Sequence, residues 1–214
     1  MTNQTLELPQ LNAPVVSRTC LYSAAELETV LDAMAARIAA ALKPGRRLVL
    51  IGVLRRGAPL ADRLTQRLVQ QHGVAQPLRL DLKVQRYADD LTLLHPETRL
   101  EENAQLTELD LRGCSLWVVD DVLYEGHSLL KVVAYLSRKQ PAEIRFATLV
   151  DRCVSRLPVH ADVVGVRLEV APADVLECHV PPYEPDFQIE RVRRHALPSA
   201  PLQAAKLLAA PCEG

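Results

Sequence analysis

The sequence predicts an open parallel α/β sheet with helices on both faces, and three observations predict it. Apolar runs of strand length recur at 48–54, 78–84, 116–119, 144–150 and 163–168. Stretches with helical spacing separate several of them, the rhythm that builds parallel strands with crossover helices. The run Leu116–Val119 is closed by two adjacent carboxylates, Asp120 and Asp121, ahead of a Gly-containing turn. In such sheets ligands bind beyond the carboxyl ends of the strands, at the switch point.

Residues 1–22 hold two prolines and no clear period, and read as an irregular lead-in. Ser23-Ala24-Ala25-Glu26 is a capping box. Leu27, Val30, Leu31, Met34, Ile38 and Leu42 follow at helical spacing, until Pro44-Gly45 ends the helix. Leu48 to Leu54 is a buried strand, and the turn Arg55-Arg56-Gly57 follows it. Pro59 near a first helical turn, then Leu60, Leu64, Leu68 and Val69, give a second helix that stops near Gly73. Leu78 to Val84 alternates as a strand. Residues 88–112 are polar and without sustained period; a connection that long is more often a functional lid than filler. A helix is predicted over Ser128–Lys139, with Leu129, Val132, Val133 and Leu136 inward. After Ala171, prolines at 172, 181, 182 and 185 break the pattern, and Phe187 to Val192 reads as a short edge strand. Arg191, Arg193, Arg194 and His195 read as a solvated basic face. Residues 1–195 are expected to form one domain, and 196–214 a weakly ordered tail.

At 214 residues the chain is long enough to bury most of its apolar surface in one core. With 49% apolar residues but only 4% aromatic, that core must rest on Leu, Val, Ile and Ala. Twenty-five Lys and Arg against 26 Asp and Glu give no electrostatic case for general nucleic-acid or polybasic membrane binding. The five cysteines are widely spaced and form no zinc-ligand pattern, as expected for reduced thiols. Met1 to Gln10 lacks the basic and apolar regions of a signal peptide, and no run approaches a membrane span. A cytoplasmic protein is the expectation.

Chemistry concentrates in Asp120-Asp121-Val122-Leu123-Tyr124-Glu125-Gly126-His127-Ser128. Backbone N–H groups at a helix start, with the helix dipole, suit a phosphate. The carboxylates suit ribose hydroxyls or a Mg²⁺ ion accompanying a pyrophosphate. Acidic pairs also follow strands merely as helix caps, so further segments must decide. Val53-Leu54-Arg55-Arg56-Gly57 supplies a second loop at the same sheet edge, where Arg56 suits a doubly charged pyrophosphate. Arg86-Tyr87-Ala88-Asp89-Asp90-Leu91 introduces the polar stretch. Leu149-Val150-Asp151-Arg152, with Leu157-Pro158 and Ala161-Asp162-Val163-Val164-Gly165, ends one strand and enters the next.

In this order and spacing the segments resemble the type I phosphoribosyltransferases, and within them the pyrimidine-operon attenuator proteins, whose members also have uracil phosphoribosyltransferase activity. The resemblance covers roughly residues 23–170. It implies transfer of phosphoribose from phosphoribosyl pyrophosphate (PRPP) to a nucleobase, uracil or a relative, with Mg²⁺. It also implies a small hood built from the termini, a homodimer, and a non-proline cis peptide at Leu54-Arg55. Asp120 and Asp121 would hold the ribose hydroxyls and position Mg²⁺-PRPP. Backbone from Tyr124 to Ser128, with the Ser128 hydroxyl, would cradle the 5′-phosphate, and Val122 and Leu123 would join the substrate-binding residues. Arg56, with Leu54, Arg55 and Gly57, would meet the pyrophosphate, and Arg86 or residues of the 88–112 lid would close over it. Backbone after Asp151 and around Val164-Gly165 would face the base. RNA binding is the least expected role, given the charge balance.

Four positions depart from the family pattern. Glu125 replaces a Thr of the phosphate loop, His127 an Arg, Arg55 a small residue, and Ala88 an Arg. A carboxylate ~5 Å from a phosphate dianion at an effective dielectric of ~20 would repel it by several kcal/mol. Two outcomes are open. In one, Glu125 turns to solvent, Arg55 or His127 and catalysis survives. In the other, the protein is a weakened, PRPP- or nucleotide-binding regulator. Tyr183, set in Pro181-Pro182-Tyr183-Glu184-Pro185, is expected to be a packing residue rather than a base-stacking one.

Overall fold

The computed structural model of the chain describes residues 16–85, 99–101, 106, 108–172 and 174–194. In order these give β1 (Val16–Tyr22), α1 (Ala24–Ala41), β2 (Leu48–Leu54), α2 (Gly57–His72), β3 (Leu78–Gln85), β4 (Arg99–Glu101) and β5 (Ser115–Leu123). There follow α3 (His127–Ser137), β6 (Glu143–Asp151), β7 (Val163–Arg167), β8 (Asp174–His179) and β9 (Gln188–Arg194). The main sheet runs β4-β3-β2-β5-β6-β7, with β2, β3, β5, β6 and β7 parallel and only β4 antiparallel. This is the α/β architecture the sequence predicts.

The central strands are buried on both faces, which is why they read as unbroken apolar runs. Leu50, Trp117, Val119, Ala147 and Leu149 pack beneath α1 and α2. Val49, Ile51, Leu116, Val118 and Phe146 turn the other way, against Val132 and Leu136 of α3 and against Leu106 and Leu111. The capping box starts α1: the Ser23 backbone N–H donates to Glu26 at 2.8 Å. Gly73, in the left-handed region at φ 64°, closes α2.

Four expectations need correction. The lead-in is not irregular throughout, since 16–22 is β1. Residues 174–179 form the unexpected β8. The stretch around 187–192 is no edge strand, because β9 lies between β1 and β8 in a separate antiparallel sheet. Finally, the expected lid over 88–112 is not all lid. Its described part includes β4 on β3, and Leu106 and Leu111 sit fully buried in the core. Residues 88–98, Arg86 and the tail 195–214 lie outside the described residues.

The small sheet β1-β9-β8 joins the two ends of the described chain. Its inner side is anchored by Asp174, 2% exposed, which accepts two hydrogen bonds from Arg193 at 2.8 Å each. Arg193 thus pairs with a buried partner while its own side chain stays 43% exposed, so the basic face expected there is solvated but not unpartnered.

Candidate active site

Strand β5 keeps its partner β2 only as far as Gly52, opposite Val119. Beyond that point β2 turns away into α2, while β5 continues beside β6 to Leu123, opposite Asp151. A crevice opens there between β2 and β5, with β3 and β6 on opposite sides. Asp120 and Asp121 lie in this extension, which is paired with β6 alone, inside the strand rather than after it as the sequence suggested. Each backbone N–H at 121 and 122 donates to the preceding carboxylate, at 2.9 Å. Burial pushes both carboxyls above the ordinary Asp range. The neighbouring Asp121 charge adds to the rise at Asp120, whereas Arg56 opposes the rise at Asp121.

The 54–57 loop forms the facing wall. Its Leu54-Arg55 peptide is cis, as the family resemblance placed it. Gly57 packs so tightly on the end of β5 that an added Cβ would lie 2.4 Å from the Val119 carbonyl oxygen. This contact sets the start of α2 against the acidic pair.

The third wall is the turn into α3. Gly126 takes φ 88°, and α3 starts at His127 with no side-chain cap, so its first N–H groups have no capping side chain. Ser155 and Val159 press on Gly126, where a Cβ would meet them at 2.8 and 2.5 Å. The Glu125 carboxylate lies 3.7 Å from the His127 ring nitrogen, one of the two pairings that would draw it off the loop. The Arg152 guanidinium stands 4.7 Å over the Tyr124 ring.

Leu54 to Gly57, Asp120 to Ser128 and Asp151 thus meet around one crevice. Val164 and Gly165 do not. The Val164 carbonyl accepts a hydrogen bond from Arg37 at 2.9 Å, and Gly165 lies against Val30 and Met34 of α1. The end of β7 reaches the level of Asp151 only at Arg167 and Leu168, whose N–H donates to the Asp151 carbonyl at 2.9 Å. Asp151 itself accepts from the Cys153 N–H at 2.8 Å.

One contact was missed. Glu184 receives both Nε and Nη2 of Arg56, at 3.0 and 2.5 Å, on the same oxygen. Beside it, Arg55 stands 5.0 Å over the Tyr183 ring, so Tyr183 packs against a cation. No local spacing in the sequence points from Arg56 to a residue 128 positions away.

A five-stranded parallel sheet with a hood, an acidic pair at the switch point and an open helix N-terminus define an α/β scaffold suited to a phosphorylated ligand. The chain belongs to the phosphoribosyl transferase domain family, which matches residues 18–184. Among curated proteins it is similar to the Bifunctional protein PyrR of Oceanobacillus iheyensis, 30% identical over 74% of this chain and 88% of that one. The PyrR of Thermus thermophilus is 31% identical over 79% and 93%. In fold it is similar to a hypoxanthine-guanine phosphoribosyltransferase from Bacillus anthracis, with TM-score 0.61, 18% identity and coverage of 81% and 96%.

Proposed function

We propose that the protein transfers phosphoribose from PRPP to a nucleobase with release of pyrophosphate. The observation that carries this is the meeting, at one crevice, of the Asp120–Asp121 pair, the uncapped start of α3 and the Arg56 loop. Family membership supports the reaction class, and the resemblance to the PyrR relatives makes uracil the first base to test.

The α3 start would receive the 5′-phosphate on the N–H groups after Gly126. Asp120 and Asp121 would hold the ribose hydroxyls. They are also the residues suited to a Mg²⁺ ion, because hard oxygen donors whose burial disfavours their own charge gain from a nearby divalent cation. Magnesium bound with PRPP supplies neutralisation of the leaving pyrophosphate. Arg56 would take the pyrophosphate from the opposite wall. Catalysis would then rest on positioning and charge stabilisation, with no nucleophilic side chain. The same reading carries a cytoplasmic homodimer, which light scattering of the purified protein would check.

Two observations favour a second reading, a PRPP- or nucleotide-binding regulator with weakened catalysis. Glu125 occupies the phosphate loop, and Arg56 is already engaged by Glu184. Calorimetric titration with PRPP and Mg²⁺, followed by a pyrophosphate-release assay with uracil and then hypoxanthine, separates the two. Binding with release supports the transferase; binding without release for any base supports the regulator; no binding overturns both.

A further inference from the structure

The hood grips the pyrophosphate-facing loop at two consecutive residues. Arg56 gives Nε and one Nη2 hydrogen to Oε1 of Glu184. Glu184 is fixed in turn, because its Oε2 accepts the Val180 N–H at 2.8 Å. Val180 is fully buried, and the Tyr183 N–H donates to the Val180 carbonyl at 3.1 Å, so the carboxylate is mounted on a closed turn. The Glu184 side chain is 18% exposed and that of Arg56 30%. Arg55 on the Tyr183 ring ties down the neighbouring position.

A guanidinium has five N–H donors in a rigid fork. Glu184 uses the Nε edge, which leaves the Nη1–Nη2 edge for a second oxyanion, the geometry of bidentate phosphate recognition. A free Arg would have to freeze its rotamers when it binds an anion; one held by a carboxylate has lost that freedom already.

We propose that Glu184 is a positioning residue for the pyrophosphate group, holding Arg56 by one edge so that its other edge is presented to the anion. The inference rests on the transferase or PRPP-binding reading above. It makes the hood part of the anion site and gives the Tyr183–Glu184 turn a role beyond cover.

The test is calorimetric binding of pyrophosphate with Mg²⁺ to wild type, Glu184→Ala, Glu184→Gln, Arg56→Ala and the Glu184→Ala/Arg56→Ala double variant, each first shown by circular dichroism to melt cooperatively. Glu184→Ala is expected to weaken binding about fivefold to tenfold, the order of one side chain's ordering cost. Glu184→Gln keeps one acceptor for Arg56 but turns its amide N–H toward the Val180 N–H, so it should fall between wild type and Glu184→Ala. In the Arg56→Ala background Glu184→Ala should have no further effect, because its influence passes through the guanidinium. Equal losses in both backgrounds would mean a merely structural turn and would overturn the inference. Tighter binding by Glu184→Ala would mark the carboxylate as a competitor and overturn it too. Pyrophosphate failing to bind wild type sinks the PRPP reading along with it, whereas wild-type binding unaltered by Glu184→Ala sinks this inference alone.

Discussion

Asp120 holds its proton more tightly in the folded chain than in the unfolded one, because burial comes first and the Asp121 charge second. Between the ordinary value of 3.8 and its raised folded value, the native state binds more protons. Stability from this group therefore falls as pH rises through that window. Asp120→Asn should therefore raise the melting temperature near neutral pH, and the gain should shrink as the scan pH is lowered through 3.8 and be absent well below it, where the carboxyl is neutral in both states. PRPP binding should be lost at every pH. A second prediction concerns Glu125. Its carboxylate lies toward His127, so Glu125→Thr should change the PRPP dissociation constant by less than about threefold. A tenfold gain in a calorimetric titration would show that the carboxylate opposes the phosphate. The grouping of Asp120, Asp121 and Gly126 was legible because it is local, within one strand, a turn and a helix start. Glu184 was not, since its partner is distant in sequence and the prolines around it mimic an ordinary loop.

Elements were legible where burial imposes a period. Strand β2 was read to both boundaries, because seven consecutive apolar or small residues are covered by helices on both faces. Strand β5 was read short, since Asp120 and Asp121 end the apolar run but not the backbone pairing with β6. Strand β1 was missed because most of its side chains are exposed, so Val-Ser-Arg-Thr-Cys carries no alternation. Strand β8 was missed because one of its inward positions is the buried Asp174, which disguises the two-residue period. The junction of β5 and α2 yields a sharp test. Gly57→Ala would drive a methyl group into backbone at Val119, and should cost about 1–3 kcal/mol in urea unfolding, as overpacking typically does. It should also weaken PRPP binding, because relief requires moving the start of α2 away from Asp120.

At the scale of the molecule, the sheet was predicted and the hood was predicted only through family resemblance. On the inner side of its sheet the buried Asp174 is paired with Arg193. Arg193→Ala would remove that two-point partner, and chemical denaturation should show a lower midpoint than wild type. An unchanged midpoint would mean that Arg191, 4.0 Å away, takes over.

The register of the hood also dictates an order of events. Val16 lies opposite Arg194, so β1 is made first and waits for the last described strand before it can pair. α1, β2, α2 and β3 can pack on neighbours close in sequence, while β1–β9 closure joins Val16 to Arg194 and comes late. During synthesis, then, β5 and its acidic pair leave the ribosome before the turn that carries Glu184. The last described strand completes the hood, and a chain cut short before β9 would keep Arg56 and Glu184 but lose the strand that pairs β8 with β1.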